Sequence, residues 1–230
     1  MKKVLFSISM LMVLICGHAK AQKDAVLAVL AKYKLDEKIL DEKLRQKPTD
    51  YSYDLKETVS TEGKEKVVLA HYDASKNEEE RWDVISADDE KPSTAEIKRF
   101  MKEHGKAPTP PIRIDDSSYK IEKEDANNLV VSFKPDPASL VGDNTFLKDC
   151  RIFLTIDLKT GKLIKGESLN EKPLKIKTFN VPSMTTSAEL NWNEAAGLYL
   201  PKKETINLVI KLLGQQIETL TIFEYSNFTK

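Results

Sequence analysis

The chain has 230 residues, of which 40% are hydrophobic and 31% are charged, and 36 basic side chains balance 36 acidic ones. This composition is typical of a globular protein and excludes an intrinsically disordered one. The even balance of charge leaves no basic footprint for nucleic acid or for an anionic membrane surface.

The first segment, residues 1–21, is predicted to be a signal peptide. Lys2 and Lys3 precede the apolar stretch 4–15, and Ala19 and Ala21 place small side chains at the two positions that a signal peptidase reads. That stretch is shorter than the roughly 20 residues that span a bilayer, so we expect cleavage and no transmembrane segment afterwards. The mature protein, residues 22–230, is then predicted to be one domain in the periplasm of a bacterium or secreted from it.

The two cysteines bear on this localisation and on the chemistry. An alternative to cleavage is a lipoprotein acylated at Cys16, but Ile15 stands where a small residue is expected. After cleavage Cys150 is the only cysteine, so the sequence predicts no internal disulfide. It lies in phase with Ile152 and Leu154 on a strand, which favours a buried, unreactive thiol.

The mature chain is predicted to begin with a helix over residues 22–46. Val26, Val29 and Leu30 fall on one apolar stripe, which is expected to face the core. The helical phase slips near Asp36, which is suited to cap a second helix, so the segment is predicted to be either one bent helix or two.

Three strands and an inserted helix are predicted next. The strands cover residues 51–61, 64–72 and 80–87. Residues 93–96 spell a capping box, and the helix that follows has Ile97, Phe100 and His104 on one face. Gly105 is its stop signal.

The rest of the chain reads as strands joined by turns. A Pro-rich extended segment, 106–113, precedes predicted strands at 119–122, 129–134, 146–158, 163–168, 174–179, 188–193, 198–200, 206–212 and 217–228. Turns at 159–162 and 213–216 indicate an antiparallel meander, which has no nucleotide-binding βαβ unit. The predicted fold class is α+β. A sheet this large curls, so we expect an antiparallel half-barrel around the N-terminal helix and the inserted helix.

Catalytic and metal-binding patterns are missing from the sequence. The mature chain has two histidines, His71 and His104, and neither stands at metal-ligand spacing from an acidic residue. The carboxylate clusters at 88–90, 115–116 and 122–125 are predicted to be solvated turns. No serine-nucleophile motif or phosphate loop occurs. We therefore expect no catalytic residue, no metal and no cofactor, and thus a protein that is not an enzyme.

Large apolar side chains on strands are the remaining candidates for a binding site. A curled sheet filled by helices often leaves a concave pocket, although such side chains more often only build the core. The candidate lining residues are Trp82, Phe133, Phe153, Trp192, Leu198 and Tyr199.

Several segments resemble known groups of proteins. Residues 50–53, 72–75, 81–86 and 91–94 resemble a group of uncharacterised bacterial secreted proteins. The run 156–161 (IDLKTG), Gly214 and the run 225–228 (YSNF) resemble the end of the outer-membrane lipoprotein carrier superfamily. That resemblance implies an unclosed half-barrel that holds acyl chains or other lipids in its concave face. It transfers no individual site residue.

Two functional hypotheses follow. The first is a non-enzymatic periplasmic protein that binds a hydrophobic ligand, such as a lipid or acyl chain, in the concave face. The alternative is an envelope module for protein–protein interaction, with the Pro-rich segment and a sheet edge as its surfaces and no small-molecule ligand.

Overall fold

A computed structural model of the chain describes residues 22–105 and 112–230. The predicted signal peptide and most of the predicted Pro-rich segment lie outside these ranges. None of the helices within them combines the length and the apolar character that crossing a membrane requires.

The dominant element is one antiparallel sheet of 11 strands. The strands are β1 Ser52–Thr61, β2 Lys64–Tyr72, β3 Trp82–Ala87, β4 Ile114–Glu124, β5 Asn128–Pro135, β6 Cys150–Asp157, β7 Lys162–Asn170, β8 Leu174–Ile176, β9 Phe179–Asn193, β10 Leu198–Leu212 and β11 Gln215–Thr229. Their order is β3-β2-β1-β11-β10-β9-β7-β6-β5-β4, with β8 paired to β9. Because β3 and β4 do not pair with each other, the sheet is unclosed. Together with the helices described below, this large antiparallel sheet confirms the predicted α+β fold class.

Two of the predicted strands form a single strand in the structure. The predicted strands 198–200 and 206–212 are one strand, β10, because a register shift between Pro201 and Lys203 lets pairing with β9 continue past the proline. The opposite error occurs at 146–149, which was predicted as strand. These residues belong to a 3-10 helix, Gly142–Asp149, and the strand begins only at Cys150.

The N-terminal helix is shorter than predicted. Helix α1 covers residues 22–32, and Lys34 adopts a left-handed φ of 56° just after it. Two 3-10 turns follow, Glu37–Leu40 and Glu42–Arg45, in place of a second α-helix. The predicted cap is confirmed, because the Asp36 carboxylate accepts a hydrogen bond from the Lys38 backbone N–H at 2.9 Å. Asp41 caps the second turn in the same way, and its extended backbone separates the two turns.

The inserted helix, α2, covers Thr94–His104 and begins as predicted. Ser93 and Glu96 form both hydrogen bonds of the capping box, and the Gly105 N–H donates to the Met101 carbonyl at 2.8 Å. The predicted apolar face is buried at its centre only. Phe100 is 3% exposed, but Ile97 is 38% exposed.

The two helices cover opposite flanks of the same sheet face, which we call the inner face. On one flank, Val26 and Leu30 of α1 pack with Phe133, Leu154 and Ile156 of β5 and β6. On the other flank, Phe100 of α2 packs against the inner side chains of β1, β2, β3 and β11. Strand registers across β1, β11, β10 and β9 place both clusters on this face.

The central strands between these flanks are incompletely covered. Every residue from 203 to 210 of β10 is only half-buried, although β10 lies in the middle of the sheet. A strip of inner face between α1 and α2 is therefore open.

A third cluster contains Cys150, which is fully buried among Leu174, Val181 and Met184. Burial raises the pKa of its thiol to about 11. The predicted burial is confirmed, and a pKa this high favours the unreactive thiol that the sequence predicts.

The carboxylate clusters are placed partly as predicted. Residues 88–90 lie in the turn after β3. Asp115 and Asp116 lie within β4, as do residues 122–124, so for these the predicted turn is wrong. The strand tolerates acidic residues there because it is an edge strand with a register shift between Asp115 and Lys120.

Candidate ligand cavities on the inner face

A cavity of about 400 Å³ opens on the inner face beside the central strands. We call it the apolar cavity. The apolar side chains in its wall come from β4, β5, β6, β9 and β10, and they include Ile114, Phe133, Ile152, Leu154, Leu190 and Ile206. The 3-10 turn Glu42–Arg45 borders it on the side of α1.

The cavity exists partly because one wall position has no side chain. Gly166 on β7 pairs with Leu154 on β6 and with Ala188 on β9, and it lies in the wall. A Cβ atom built at Gly166 would meet only the Leu154 Cδ2 atom, at 3.9 Å. The backbone therefore leaves room that a larger residue would fill.

A polar cluster borders the apolar cavity on the side of β11. The Tyr225 hydroxyl donates to the Glu204 carboxylate at 2.6 Å, and the Lys47 ammonium lies 2.9 Å from the same carboxylate and contacts the hydroxyl. Burial and the Glu204 charge raise the pKa of Tyr225 far above its usual range, so the phenol stays protonated. Glu204 lines the apolar cavity, whereas Lys47 and Tyr225 line a second one.

This second cavity, the aromatic cavity, has a volume of about 610 Å³. Its floor consists of stacked and edge-to-face rings. Tyr53 and Tyr72 stack at 5.0 Å between centroids, and the Trp82 ring meets both edge-on at 5.7 and 5.0 Å. Its rim is charged, with Lys47 and Arg81 among the lining residues. The aromatic cavity is thus larger but much more polar at its mouth.

A buried carboxylate interrupts the apolar inner face of β1. Glu57 is 8% exposed, and the His104 Nε2 atom lies 3.0 Å from its carboxylate. His104 itself stacks on Phe100 at 4.2 Å. The ligand atoms of Glu57, Glu103 and His104 lie within 4.8 Å of one another, a spacing that can hold a metal ion.

The surroundings of this group favour a hydrogen-bonded pair of His104 and Glu57 over a metal centre. Lys66 and Arg99 border the same cleft as Glu57 and Glu103, and their positive charges oppose the entry of a cation. Sequence spacing gave no indication of this cluster because 47 residues separate Glu57 from His104. The sequence nevertheless contains a signal. Glu57 is an acidic residue in phase with Tyr53 and Leu55, so strand alternation places its side chain on the inner face.

Four of the six predicted site residues lie on the inner face, in different places. Trp82 lines the aromatic cavity and Phe133 the apolar cavity. Trp192 and Tyr199 form an edge-to-face pair at 4.9 Å that packs into the core and lines neither cavity. The sequence therefore predicts residues of two cavities and of the core as if they formed one site.

The other two predicted residues lie on the opposite face of the sheet. Phe153 precedes the inward-facing Leu154 and pairs with Ser132, and Leu198 precedes the inward-facing Tyr199. Since successive side chains of a strand alternate between faces, neither points towards the cavities.

Three residues that shape the wall of the apolar cavity and set its charge were not identified from the sequence. Arg45 and Ile206 lie in its wall, together with Gly166. Ile206 follows the strand period, so alternation could have found it. Arg45 and Gly166 carry no signal in the sequence, because their place depends on which strands become neighbours.

The fold was also compared with known proteins. No protein-family model and no curated protein matches the sequence. Among solved structures, the crystal structure of a DUF1329 family protein from Desulfovibrio piger is similar over 87% of this chain and 92% of that chain, with 10% identity and a TM-score of 0.37. A likeness at this level carries no argument about fold, family or function.

Proposed function

We propose that this protein binds a ligand with a long apolar chain in the apolar cavity and does not transform it. The observation that carries this proposal is a cavity of about 400 Å³ with apolar walls, on central strands that neither helix covers. Small-molecule sites commonly have volumes of about 300–1,000 Å³. Each methylene buried there contributes about 0.8 kcal/mol, so a chain needs no catalytic group to be held.

We further propose that the protein works in the bacterial envelope, either in the periplasm or after secretion. Lys2, Lys3 and the apolar stretch before residue 19 support this location. The resemblance to the outer-membrane lipoprotein carrier superfamily supports the same type of ligand, because those half-barrels hold acyl chains in the concave face.

The test uses two isoleucines on neighbouring central strands. Ile206 lines the apolar cavity, whereas Ile222 on β11 pairs with Thr205 and points to the other face. Both are half-buried, so they form a matched pair. We expect Ile206→Asp to weaken the binding of a fluorescent long-chain lipid probe at least tenfold, about 1.4 kcal/mol, because it places a charge against the chain. Ile222→Asp should leave the affinity within about twofold.

The same protein, purified from cells and extracted with solvent, should release lipid that mass spectrometry detects. Absence of both lipid and probe binding would refute the proposal. Equal loss of binding in the two variants would place the ligand elsewhere. A specific protein partner, captured by crosslinking and unaffected by Ile206→Asp, would instead favour the interaction module.

A further inference from the structure

The wall of the apolar cavity contains a positively charged residue, Arg45, which binding of an apolar chain does not require. Arg45 ends the 3-10 turn Glu42–Arg45, and its side chain lies in the cavity wall. Its guanidinium donates to the Ile39 carbonyl at 3.1 Å and to the Leu40 carbonyl at 3.4 Å. Both acceptors are neutral, so they orient the group without balancing its charge.

Within the described ranges 22–105 and 112–230, no carboxylate lies within 4.0 Å of this guanidinium, and Glu42 and Asp41 attract it only from a greater distance. Every ion pair found there at 4.0 Å or less involves other basic groups. Burial is the main cause that lowers the pKa of Arg45, and a guanidinium nevertheless keeps its charge at neutral pH. A partly desolvated cation without a direct ion pair is costly, and an anion in the cavity would offset that cost.

The acidic residues of the same wall are already engaged. Glu42 accepts the Ile112 backbone N–H at 2.9 Å, and burial raises the pKa of its carboxyl group. Glu204 is held by Lys47 and Tyr225, and Glu167 pairs with Lys165 at 2.8 Å. Glu167 and Glu204 therefore have cationic partners of their own, and Glu42 attracts Arg45 without forming a direct ion pair, so the guanidinium remains available to a ligand.

We propose that the ligand of the apolar cavity is an anionic amphiphile, whose carboxylate or phosphate binds the Arg45 guanidinium while its apolar chain lies against Ile152 and Ile206. This inference rests on the proposed function. A planar guanidinium can bind either acidic group through two parallel hydrogen bonds, which a neutral ester or alcohol cannot form in the same way.

The first experiment compares ligands and needs no variant. Delipidated wild-type protein is titrated calorimetrically with a long-chain fatty acid, with its methyl ester, and with an alkyl phosphate of equal chain length. We expect both acids to bind at least tenfold more tightly than the ester. The ratio of the two acids then separates a carboxylate from a phosphate headgroup.

The second experiment assigns the preference to a residue. Arg45→Met should bind the acid and the ester equally, whereas Arg45→Lys should retain part of the preference. Lys47→Met tests the other nearby cation, which is paired with Glu204. Thermal unfolding of each variant establishes that it is folded.

The outcomes separate this inference from the proposed function. If neither the acids nor the ester binds wild-type protein, the proposed function itself is wrong. If the ester binds as well as the acids, the cavity takes apolar chains but the anionic headgroup is wrong. A preference that survives Arg45→Met and disappears in Lys47→Met would also overturn the inference, since the headgroup would then lie at Lys47.

Discussion

At the scale of single residues, the outer face of the sheet contains an ionic network around a buried arginine. Arg151 is 7% exposed, and its guanidinium donates to Glu171 at 2.8 Å and to the Ser132 hydroxyl at 3.0 Å. Lys134 donates to the other oxygen of Glu171. Removing one partner of such a network leaves a buried group without its hydrogen bonds, so the network makes stability sensitive to acid.

The hydrogen bond from Lys134, followed by that from Arg151, lowers the pKa of Glu171 below its usual range. A carboxyl group with a lowered pKa in the folded state stabilises the fold above its unfolded pKa, and this contribution is lost as pH falls through the folded pKa. We therefore expect Glu171→Gln to lower the free energy of unfolding at pH 7 and to have a smaller effect at pH 3. Urea titrations of the wild-type protein and the variant at both pH values measure the difference in the free energy of unfolding.

A suitable control is Glu65→Gln, which alters an exposed carboxylate on β2. It should change the free energy of unfolding little at either pH. A Glu171→Gln effect that is equally large at pH 3 would contradict the assigned cause.

At the scale of elements, helix α2 depends on its cap because most of its surface is exposed. Ser93 accepts the Glu96 N–H, and Glu96 accepts the Ser93 N–H at 2.9 Å. We expect Ser93→Ala to lower the free energy of unfolding by about 1 kcal/mol, measured by urea denaturation. Ser93→Gly should lower the free energy of unfolding by only a few tenths of about 1 kcal/mol. Equal decreases in the two variants would contradict a role for the cap.

Elements whose signals are local were predictable from the sequence. The caps at Asp36 and Ser93 were found because donor and acceptor lie within three residues of each other. The continuity of β10 was not predictable. Pro201 indicates a strand end in the sequence, and only the pairing with β9 places it at a bulge within the strand. The prediction of a second α-helix was wrong for a related reason. The apolar spacing alone favours a continued helix, but Asp41 caps a 3-10 turn there.

The candidate site was predictable only in outline. A curled sheet with helices on its inner face implies a concave surface, and Phe133 and Trp82 of the predicted residues lie in cavity walls. The division into two cavities depends on the side chains of Glu204, Lys47 and Tyr225, which meet from three distant parts of the chain. Such contacts follow from strand order, which the sequence does not state.

At the scale of the whole molecule, stability and binding are expected to oppose each other at Gly166. Valine at this position would occupy the room beside Leu154 and project into the apolar cavity. Because glycine inside a strand is unfavourable by roughly 0.5–1 kcal/mol, Gly166→Val should raise the free energy of unfolding while weakening the binding of the lipid probe at least tenfold. Thermal unfolding and probe titration measure the two effects.

Gly166→Ala provides the graded comparison. It should give much of the gain in stability with a smaller loss of binding, since its single methyl group reaches only Leu154. Full binding by Gly166→Val would show that the chain of the ligand lies outside this cavity.

The seam between β1 and β11 has a consequence for how the protein is made. These strands pair in the sheet although 173 residues separate Asp54 from Asn227, whose amide donates to the Asp54 carboxylate at 2.7 Å. Within the described part of the chain, β1, β2 and β3 join the other strands through backbone pairing at this seam alone. A growing chain that has not yet reached β11 therefore exposes β1 as a bare edge, open to pairing with other chains. Until β11 is available, such a chain needs protection from aggregation.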